Sequence, residues 1–372
     1  MLHCTKQRIA VFISFSGNGG VERMIVNLCT GFSQRGYQVD LLLIKNNSDH
    51  LVHLPDDVNV IHLGAKHAYS SLWRLVKYLR RERPDALLSA KERANRVALL
   101  ARKISGVKIP VGVRLGTTVS AALAGKNRLQ RFLWFWPMKL TYRHADVIIP
   151  VSQGVADDVI KITGIDSNRV KVIHNPVISP RLFELSRQPL SHPEWFDGSI
   201  PTLAAAGRFT RQKDFFTLIR ALKQINLEFP CRLVILGEEG GLREQYSALA
   251  TELGIQHYLL MPGFVNNPYP VISHADCFVL SSLWEGSPNV LTEALALGVP
   301  VVSTDCPSGP AEILCDGYYG PLVPMGDAEA MAQAIIEVLH KPHSREFLQR
   351  ASEAYTIDRS VNDYLKALRL TG

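Results

Sequence analysis

The sequence lacks the patterns that mark several common classes of protein. Its six cysteines include no Cys-x-x-Cys pair and no Cys/His cluster, which argues against a zinc site or a redox motif. There is no His-Glu-x-x-His, no Asp-x-Asp, no Gly-x-Ser-x-Gly and no Walker loop. We therefore expect buried free thiols, a structural role for histidines such as His174, and chemistry that needs no metal ion.

Long apolar runs and targeting signals are also missing. No run approaches the ~18–20 residues of a membrane-spanning helix. The amino-terminal run Ile9–Phe15 is too short for a signal-peptide core, and no small-residue cleavage site follows it. These absences predict a cytoplasmic protein.

The composition is that of a globular protein with more than one domain. The chain has 372 residues, of which 47% are hydrophobic and 20% are charged. A single core rarely organises more than ~250–300 residues, so two domains of about 170 residues each are expected.

Charge is divided unevenly between the two halves of the chain. Residues 1–184 carry 27 Lys and Arg against 13 Asp and Glu, a net charge of +14, whereas residues 185–372 carry 14 against 21, a net charge of −7. A basic first half favours an anionic partner, such as a nucleic acid, an acidic lipid headgroup or a phosphorylated substrate. A solvated surface with surplus cations is the alternative.

Short apolar, β-branched runs alternate with amphipathic stretches along the chain. Strand–helix alternation predicts a parallel sheet covered by helices on both faces. The predicted strands are 8–14, 39–44, 58–63, 85–90, 109–115, 146–152, 170–175, 202–209, 231–237, 257–264, 277–282, 299–304 and 320–324. We predict an α/β protein with two Rossmann-like, doubly wound domains that face each other across a cleft.

A proline-rich stretch, residues 175–201, interrupts the alternation near the charge boundary. Its five prolines argue against a regular element and indicate a connection between domains. The predicted organisation is a first domain at 1–184, a linker at 185–200, a second domain at 201–355 and an amphipathic final helix within 356–372.

The segment SFSGNGGVER (14–23) lies where the first strand meets the first helix. Backbone amides and a helix amino terminus at such a place suit a phosphate. The spacing begins like a dinucleotide fingerprint, but Glu22 stands where the third glycine would be, so an NAD pyrophosphate fits poorly. Gly19 and Gly20 would allow another ligand to approach closely. A turn that needs positive φ is the structural alternative.

The segment AAAGRFTRQKDF (204–215) follows the first predicted strand of the second domain. Arg208 and Lys213 would be fixed cations at the carboxyl end of that strand, just after Gly207. Such cations can neutralise a diphosphate, with arginine as a forked donor and lysine as a point charge. Arg211 is a third cation, which could equally face solvent.

The segment WEGSPNVLTEALALG (284–298) places two glutamates beside a predicted helix. Ser287 is expected to cap the helix and Gly298 to end it. Glu285 then lies on the preceding loop and faces the cleft, whereas Glu293 lies at the border of an apolar arc. Backbone amides in the first turn suit a phosphate or a sugar oxygen.

These motifs together resemble the family-4 retaining glycosyltransferases of the two-Rossmann (GT-B) fold. The resemblance rests on GGVER, VSQGVADDV, VKVIHNPV, GRFTRQKDF, LVILGEEG and two glutamates separated by seven residues, and it covers almost the whole chain. NNPYPVISHADCFVLSSLWEGSPNVL is similar to bacterial enzymes that extend lipid-linked oligosaccharides.

The resemblance implies a nucleotide-sugar donor that is held mainly by the second domain. Arg208 and Lys213 would bind the diphosphate, and Glu285 the transferred sugar. Glu293 would bind the ribose. The donor site implied in this way comprises Gly19, Gly20, Arg208, Lys213, Glu285, Ser287, Asn289, Val290 and Glu293. No metal is expected, the first domain would bind the acceptor, and the final helix would cross back to it.

One part of the family pattern is missing. Many relatives have a histidine after the strand that corresponds to IPVGVRL (109–115), near the reacting sugar, whereas this chain reads VRLGTTVS. The acceptor-side catalytic group is therefore not identified, and Arg114 is the candidate.

Two basic segments of the first half, 70–84 and 127–143, also contain aromatic residues. Pro137 predicts that the second segment forms two short helices. Cations interleaved with aromatic rings are typical of a surface that binds anionic lipid and inserts its rings. Packing of the rings into a core is the alternative. If the surface is exposed, we expect peripheral attachment to the inner face of the cell membrane.

The sequence thus predicts a metal-independent hexosyltransferase. It would move a hexose or N-acetylhexosamine from a nucleotide sugar, with UDP preferred, to a lipid-linked glycan precursor in polysaccharide or lipopolysaccharide synthesis. A nucleotide-sugar epimerase or phosphorylase of the same fold is the first alternative. An NAD-dependent dehydrogenase and a nucleic-acid-binding protein are further alternatives, and no nucleic-acid partner is expected. The sugar, UDP versus GDP, the acceptor and the oligomeric state stay open.

Overall fold

The computed structural model describes residues 6–17 and 19–370. The chain divides into two compact units. Unit 1 comprises Met1–Val177 and Tyr355–Gly372, and unit 2 comprises Ile178–Ala354. Each unit has its own six-stranded sheet and its own hydrophobic core.

The sheet of unit 1 is parallel at every strand pair. Its strands are β1 (Arg8–Phe15), β2 (Gln38–Asn46), β3 (Val58–His62), β4 (Ala86–Ala90), β5 (Val111–Leu115) and β6 (Val147–Pro150). Their order is β3-β2-β1-β4-β5-β6, so the chain builds first to one side of β1 and then to the other. This doubly wound order confirms the Rossmann-like prediction.

Helices cover both faces of this sheet. They are α1 (Gly20–Gln34), α2 (Leu72–Glu82), α3 (Glu92–Ser105), α4 (Val119–Ala122), α5 (Arg128–Tyr142) and α6 (Gln153–Thr163). In α1, Ile25, Leu28 and Phe32 recur at helical spacing and are completely buried. That spacing forms one apolar face, which explains why this stretch is a helix rather than a strand.

Strand β1 shows why helices are needed on both sides. Ala10 and Phe12 point into the core that includes residues of α2 and α3, whereas Ile9, Val11 and Ile13 point into the core that includes α1. All five are 0% exposed. A strand buried on both faces is apolar at every position, and each large side chain contributes ~1.5–3 kcal/mol of burial free energy.

Unit 2 repeats the same plan. Its strands are β7 (Thr202–Ala206), β8 (Arg232–Leu236), β9 (Leu259–Gly263), β10 (Cys277–Leu280), β11 (Val301–Thr304) and β12 (Leu322–Val323), in the order β12-β11-β10-β7-β8-β9. Its helices are α7 (Pro180–Ser186), α8 (Phe215–Glu228), α9 (Arg243–Glu252), α10 (Tyr269–His274), α11 (Asn289–Ala296), α12 (Pro310–Ile313), α13 (Ala328–His340) and α14 (Arg345–Arg350). All strand pairs are parallel, which confirms a second Rossmann-like domain.

The final helix, α15 (Ile357–Ala367), belongs to unit 1. Val361, Tyr364 and Leu365 lie in the same core as α1. A methyl group on Gly31 of α1 would overlap the Val361 side chain. The bare α-carbon of Gly31 therefore allows α1 and α15 to pack closely.

The boundary between the units lies before the predicted linker. Residues 185–200 fall within unit 2, because their polar groups bond to it. Asn267 Nδ2 donates to Leu185 O at 2.9 Å, and Arg232 Nη1 lies 2.9 Å from Asp197 Oδ1. The proline-rich stretch 175–201 contains α7 and a short 3-10 turn, Pro193–Phe196, so the prediction that it holds no regular element was wrong.

Two local predictions were wrong. Residues 170–175 run beside β6, where Lys171 N–H donates to Ile148 O at 2.9 Å and Ile173 N–H to Pro150 O at 3.0 Å, but they form only an isolated bridge at Val170 and Ile148 instead of a strand. Residues 128–142 form one helix, although Pro137 lies within it. Pro137 has no N–H to donate to the Leu133 carbonyl oxygen, so α5 loses one backbone hydrogen bond, but Trp134, Phe135 and Tyr142 on either side of it pack in the core of unit 1.

The cysteines are mostly buried thiols, as predicted. Cys29, Cys231, Cys277 and Cys306 are buried, whereas Cys315 is exposed, which contradicts the prediction for that residue. Cys4 lies outside the described residues. Burial, with a contribution from the Glu285 carboxylate, raises the pKa of the Cys306 thiol to about 12, so this thiol stays protonated at neutral pH.

Candidate active site

The carboxyl ends of β7 and β10 mark the topological switch point of unit 2. β8 and β9 lie on one side of β7, and β10, β11 and β12 lie on the other. In open α/β sheets, ligands bind in the crevice outside the carboxyl ends of the strands at this point. The loops after β7 and β10 contain the predicted residues Arg208, Lys213 and Glu285.

An ion pair joins these two loops. Lys213 Nζ and Glu285 Oε1 are 2.6 Å apart, and Ser282 Oγ donates to the same carboxylate oxygen at 2.7 Å. Only 16% of the Lys213 side chain and 10% of the Glu285 side chain are exposed. The structure therefore brings together two predicted site residues, and each charge offsets the cost of burying the other.

The same loops are also bonded through their backbones. Leu283 N–H donates to Gln212 O at 2.8 Å, Gln212 Nε2 donates to Trp284 O at 2.9 Å, and Ser281 Oγ donates to Lys213 O at 2.7 Å. These bonds hold the two loops in fixed register. Gln212 and Ser281 were not among the predicted site residues. The only signal for them was their position beside the charged pair.

Two glycines make room for Lys213. A methyl group on Gly207 would come within 2.6 Å of Lys213 Cε, and one on Gly237 would overlap the Gly207 carbonyl oxygen. The aliphatic part of the lysine therefore lies across the bare α-carbon of Gly207. Gly207 lies in the predicted cationic segment, whereas no role was predicted for Gly237.

Arg208 and Arg211 are exposed cations in the loop that also contains Lys213. Arg208 directly follows Gly207, and Arg211 lies in the 3-10 turn Arg211–Lys213. Exposed guanidinium groups at the carboxyl edge of a sheet can reorient to bind an incoming anion. Asp214, which follows the turn, has a positive φ of 44° and caps α8 through its backbone.

The helix after Glu285 begins one residue later than predicted. α11 starts at Asn289, and its N-cap is Pro288, with no hydrogen bond from a capping side chain. The prediction that Ser287 caps the helix is therefore wrong, because Pro288 has an extended backbone and separates Ser287 from the first turn. Asn289 and Val290, the predicted donor contacts, occupy that first turn and are partly exposed.

Glu293 is more deeply buried than predicted. Its exposure is 1%, and Tyr269 Oη donates to Glu293 Oε1 at 3.4 Å. The prediction placed Glu293 at the border of an apolar arc, but α10, which carries Tyr269, packs over that side of α11. Glu285 and Glu293 thus lie on one loop-and-helix segment with different partners, a lysine and a tyrosine.

The loop after β11, for which no role was predicted, forms hydrogen bonds with the Glu285 loop. Glu285 N–H donates to Pro307 O at 3.4 Å, and Ser308 Oγ donates to Gly286 O at 3.1 Å. A methyl group on Gly309, which has a φ of +97°, would come within 2.9 Å of Gly286 O. Glycine is required there for both the conformation and the close approach. The signal was DCPSGP, a turn-forming run directly after β11.

In unit 1, the predicted glycine turn lies between β1 and α1. Gly19 is the N-cap of α1, with φ −75° and ψ 170°, so positive φ is not the reason for a glycine there. A methyl group on Gly19 would come within 3.2 Å of Glu22 Oε2, so the missing side chain makes room for that carboxylate. Lys91 Nζ lies 2.6 Å from Glu22 Oε1. Lys91 was not predicted as a partner, because no local pattern in the sequence connects it with Glu22.

Arg114 is an internal residue of unit 1. Its exposure is 2%, and its Nη2 donates to Asn175 Oδ1 at 2.7 Å. Burial lowers the pKa of Arg114, and interaction with Tyr364 of α15 opposes that shift. This environment favours a structural role over the predicted catalytic one, because the guanidinium has almost no surface to offer an acceptor.

The unit 2 edge therefore presents a paired lysine, exposed arginines and a fixed carboxylate around one switch point. Such a set can neutralise a diphosphate and accept hydrogen bonds from sugar hydroxyls. Across residues 6–17 and 19–370, no cluster of three or more His, Cys, Asp or Glu is placed to hold a metal ion. None of the helices in this described part is long and apolar enough to cross a membrane.

Protein-family comparison matches both units of the chain. Residues 193–355 match the family described as glycosyl transferases group 1. Residues 18–179 match Glycosyltransferase Family 4. The first match contains the Lys213–Glu285 site, and the second contains the Glu22–Lys91 pair.

Individual proteins show the same likeness. The chain is 31% identical to an uncharacterized glycosyltransferase of Methanocaldococcus jannaschii over 292 residues. This aligned region covers 74% of this chain and 68% of that protein. It is 28% identical to the N-acetylgalactosamine-N,N'-diacetylbacillosaminyl-diphospho-undecaprenol 4-alpha-N-acetylgalactosaminyltransferase of Campylobacter jejuni, over 91% of this chain and 92% of that enzyme. Among solved structures, Anabaena HepE in complex with UDP has a TM-score of 0.77 at 18% identity, over 98% of this chain and 100% of that chain.

Proposed function

This chain belongs to the family-4 type of glycosyltransferases, and on that premise we propose that it is a retaining enzyme that transfers a hexose or N-acetylhexosamine. The proposed donor is a nucleotide sugar with UDP as its nucleotide. The proposed acceptor is a glycan precursor attached to a lipid, for the synthesis of cell-surface polysaccharide or lipopolysaccharide.

The Lys213–Glu285 pair beside Arg208 is the observation that carries this proposal. A nucleoside diphosphate gains negative charge as its bond to the sugar breaks, and fixed cations aimed at that charge lower the barrier. Lys213 is fixed by its ion pair and by the bonds between the two loops. Arg208 is exposed next to it and would complete the cationic site with a forked donor.

Glu285 would have a different task from the cations. Its carboxylate is oriented by Lys213 and Ser282, and carboxylate oxygens accept hydrogen bonds from sugar hydroxyls. We assign Glu285 to the transferred sugar, Glu293 to the ribose, and the first-turn amides at Asn289 and Val290 to the remaining oxygens of the donor. The contribution of Gly19 and Gly20 to donor binding stays a prediction from the family pattern.

Two relatives support the choice of substrates. The name of the Campylobacter jejuni enzyme describes a sugar acceptor linked through diphosphate to undecaprenol, which is a lipid. HepE, which shares the fold, was solved in complex with UDP. Lys213 and Arg208 would supply positive charge to the leaving group, so the proposed reaction needs no metal ion.

Helix α5 supports a membrane as a further partner. Leu129, Phe132, Leu133 and Trp136 are 49–65% exposed and recur at spacings of three and four residues, which places them on one face. Phe132 and Trp136 stack with ring centroids 5.6 Å apart. The same helix region carries Arg128, Arg131, Lys139 and Arg143. An exposed apolar face with flanking cations is suited to the interface of an anionic bilayer.

The core-packing alternative holds for other rings of the two basic segments. Trp134 and Phe135 pack against the core of unit 1, and Tyr142 is completely buried. In the 70–84 segment, Trp73 is 69% exposed, whereas Tyr78 is buried. We therefore propose α5, rather than both segments equally, as the surface that attaches the enzyme to the cytoplasmic face of the membrane.

Donor binding and turnover test the proposed function together. A thermal-shift screen with UDP-glucose, UDP-galactose, UDP-N-acetylglucosamine and GDP-mannose should give an upward shift with at least one UDP-sugar. Release of UDP from that sugar should then fall at least about 100-fold in Glu285→Ala, the size of effect seen when one fixed transition-state contact is removed. Asp197→Ala is the matched control, because Asp197 forms an ion pair with Arg232 at the opposite, amino edge of the same sheet.

The two measurements have separate outcomes. If no nucleotide sugar shifts the melting temperature and none is hydrolysed, the proposed reaction is wrong. If Glu285→Ala stays within twofold of the wild-type rate, the reaction stands and the assignment of Glu285 is wrong.

A further inference from the structure

A second lysine–glutamate pair lies at the switch point of unit 1. In that sheet β1 is flanked by β2 on one side and β4 on the other, so the switch point lies between the carboxyl ends of β1 and β4. Glu22 follows β1, in the first turn of α1, and Lys91 follows β4. Their Nζ–Oε1 distance is 2.6 Å, the same as in the Lys213–Glu285 pair of unit 2.

The backbone of Lys91 is unfavourable for a lysine. Lys91 is the single residue between β4 and α3, and its φ is +74°, a region that favours glycine. A glycine would connect β4 to α3 at lower conformational cost. A lysine at such a position indicates that its side chain is needed, because strained backbone persists where the surrounding structure holds it.

The side chain of Lys91 ties together the turn between β1 and α1. Its Nζ donates to Ser14 O at 2.8 Å, to Ser16 Oγ at 3.1 Å and to Glu22 Oε1 at 2.6 Å. Ser16 N–H also donates to Glu22 Oε1 at 3.3 Å. One ammonium group thus uses three donors to fix both ends of the turn.

Glu22 depends on this lysine. Its exposure is 4%, and burial of a carboxylate without a cation is costly. Glu22 also lies in the first turn of α1. An uncompensated carboxylate at this end of the helix would repel a negatively charged substrate. Lys91 offsets that charge at ion-pair distance, with a further electrostatic contribution from the Arg114 guanidinium, and is itself 31% exposed, so it forms the outer member of the pair.

We propose that Lys91 is a positioning residue for the glycosyl transfer, which acts through the β1–α1 turn. It holds Ser14, Ser16 and Glu22 in one arrangement at the switch point of unit 1 and keeps that edge of the sheet free of unpaired negative charge. The inference rests on the proposed function, because the turn is expected to meet substrate at the carboxyl edge of the sheet.

The double variant Lys91→Gly/Glu22→Gln provides the sharpest test. It removes both charges and relieves the positive φ at residue 91, so its melting temperature should equal or exceed that of the wild type. We expect hydrogen exchange at the backbone amide of position 16, which donates to Glu22 Oε1, to accelerate about tenfold. We also expect kcat for UDP release from the accepted UDP-sugar to fall about tenfold, because small displacements of reacting groups strongly lower the rate.

The matched control is Arg83→Gly. Arg83 has a positive φ of 43° at the end of α2, which places it at the amino edge of the same sheet, and the change likewise removes a cation and relieves strain. It should leave kcat within twofold of wild type. Lys91→Gly alone should lose more activity than the double variant, because it leaves the buried Glu22 carboxylate without its ion-pair partner.

Failure of this inference is distinct from failure of the proposed function. If the wild type releases UDP and the double variant keeps kcat within twofold, Lys91 has only a structural role. If hydrogen exchange at Ser16 is unchanged, Lys91 does not position the turn, whatever the activity. If the wild type neither binds nor hydrolyses any nucleotide sugar, the proposed function is wrong, and the exchange data alone decide whether Lys91 holds the turn.

Discussion

Lys213 and Glu285 are 72 residues apart in the chain and meet at 2.6 Å between the loops after β7 and β10. The pair spans the point at which the strand order of unit 2 reverses. Because both side chains are mostly buried, each one is needed for the stability of the other as well as for the proposed chemistry. This coupling makes the pair testable in two independent ways.

A double-mutant cycle should measure the coupling directly. Lys213→Met and Glu285→Gln should each lower the free energy of unfolding. The loss in Lys213→Met should be about 3 kcal/mol, because this change leaves the mostly buried Glu285 carboxylate without its ion-pair partner. The loss of unfolding free energy in the double variant should be about 0.5–3 kcal/mol smaller than the sum of the losses in the two single variants. Urea unfolding of the four proteins gives these values. Additive losses would show that the two charges do not interact.

The same lysine variant should act on the leaving group. In Lys213→Met, kcat for UDP release should fall about 100-fold or more, since one fixed cation is removed from the developing diphosphate charge. Arg232→Met removes a cation that is paired at the amino edge of the same sheet, and it should leave kcat unchanged. A similar loss in both variants would assign the effect to general destabilisation.

The two glycines beside Lys213 should respond differently to alanine. In Gly207→Ala the new methyl group meets the flexible end of Lys213, so the lysine should be displaced and kcat should fall about tenfold. In Gly237→Ala the methyl group meets the backbone of Gly207, which cannot move aside, so the unfolding free energy should fall by about 1–3 kcal/mol. Thermal melts and UDP release, measured on both variants, check the contrast. The reverse pattern would contradict the described packing.

Loss of aromatic rings from α5 should weaken membrane binding. Phe132→Ser/Trp136→Ser removes two exposed stacked rings, and burial of each is worth roughly 1.5–3 kcal/mol, so partitioning into liposomes should fall at least about tenfold. Flotation with and without anionic lipid, at low and high salt, is the measurement. Leu227→Ser is the control, because Leu227 is 72% exposed on α8 of unit 2. Binding by the wild type that ignores both lipid charge and salt would rule out the electrostatic part of this proposal.

Glu92 should give the stability of the protein a distinctive pH dependence. Burial raises the pKa of Glu92 above its ordinary value of 4.5, although its ion pair with Arg96 opposes the shift. The folded state therefore binds this proton more tightly than the unfolded state does. The contribution of Glu92 to the unfolding free energy falls as the pH rises from about 4.5 through the folded-state pKa.

Glu92→Gln should remove that contribution. As the pH rises through this window, the wild type should lose unfolding free energy relative to the variant. Urea unfolding of both proteins at a series of pH values measures this difference. A difference that moves in the opposite direction would mean that Arg96 outweighs burial and that the pKa of Glu92 is lowered in the folded protein.

Individual residues show which features of the structure could be predicted from the sequence and which could not. The apolar periodicity of β1 and α1 predicted both elements, because burial on one or two faces leaves a regular trace in the chain. The Ser287 cap was wrong because the backbone of Pro288 decides where α11 begins. Pro137 did not break α5, because the residues on either side of it, such as Trp134 and Tyr142, pack in the core of unit 1 and outweigh the loss of one hydrogen bond. Arg114 was the candidate because VRLGTTVS lacks the histidine of many relatives, and no local pattern could show that its side chain is buried and donates to Asn175.

By itself the sequence determined the two Rossmann-like domains, the family and the chemical character of the residues at the carboxyl edge of the second sheet. These depend on local patterns, namely alternating strands and helices, glycine turns and charged residues after strands. The pairing of those charges was decided only by the tertiary structure. Lys213 meets Glu285, and Glu22 meets Lys91, because parallel strands bring the ends of distant segments side by side. No spacing in the chain records that contact, since the long crossover connections between parallel strands vary freely in length.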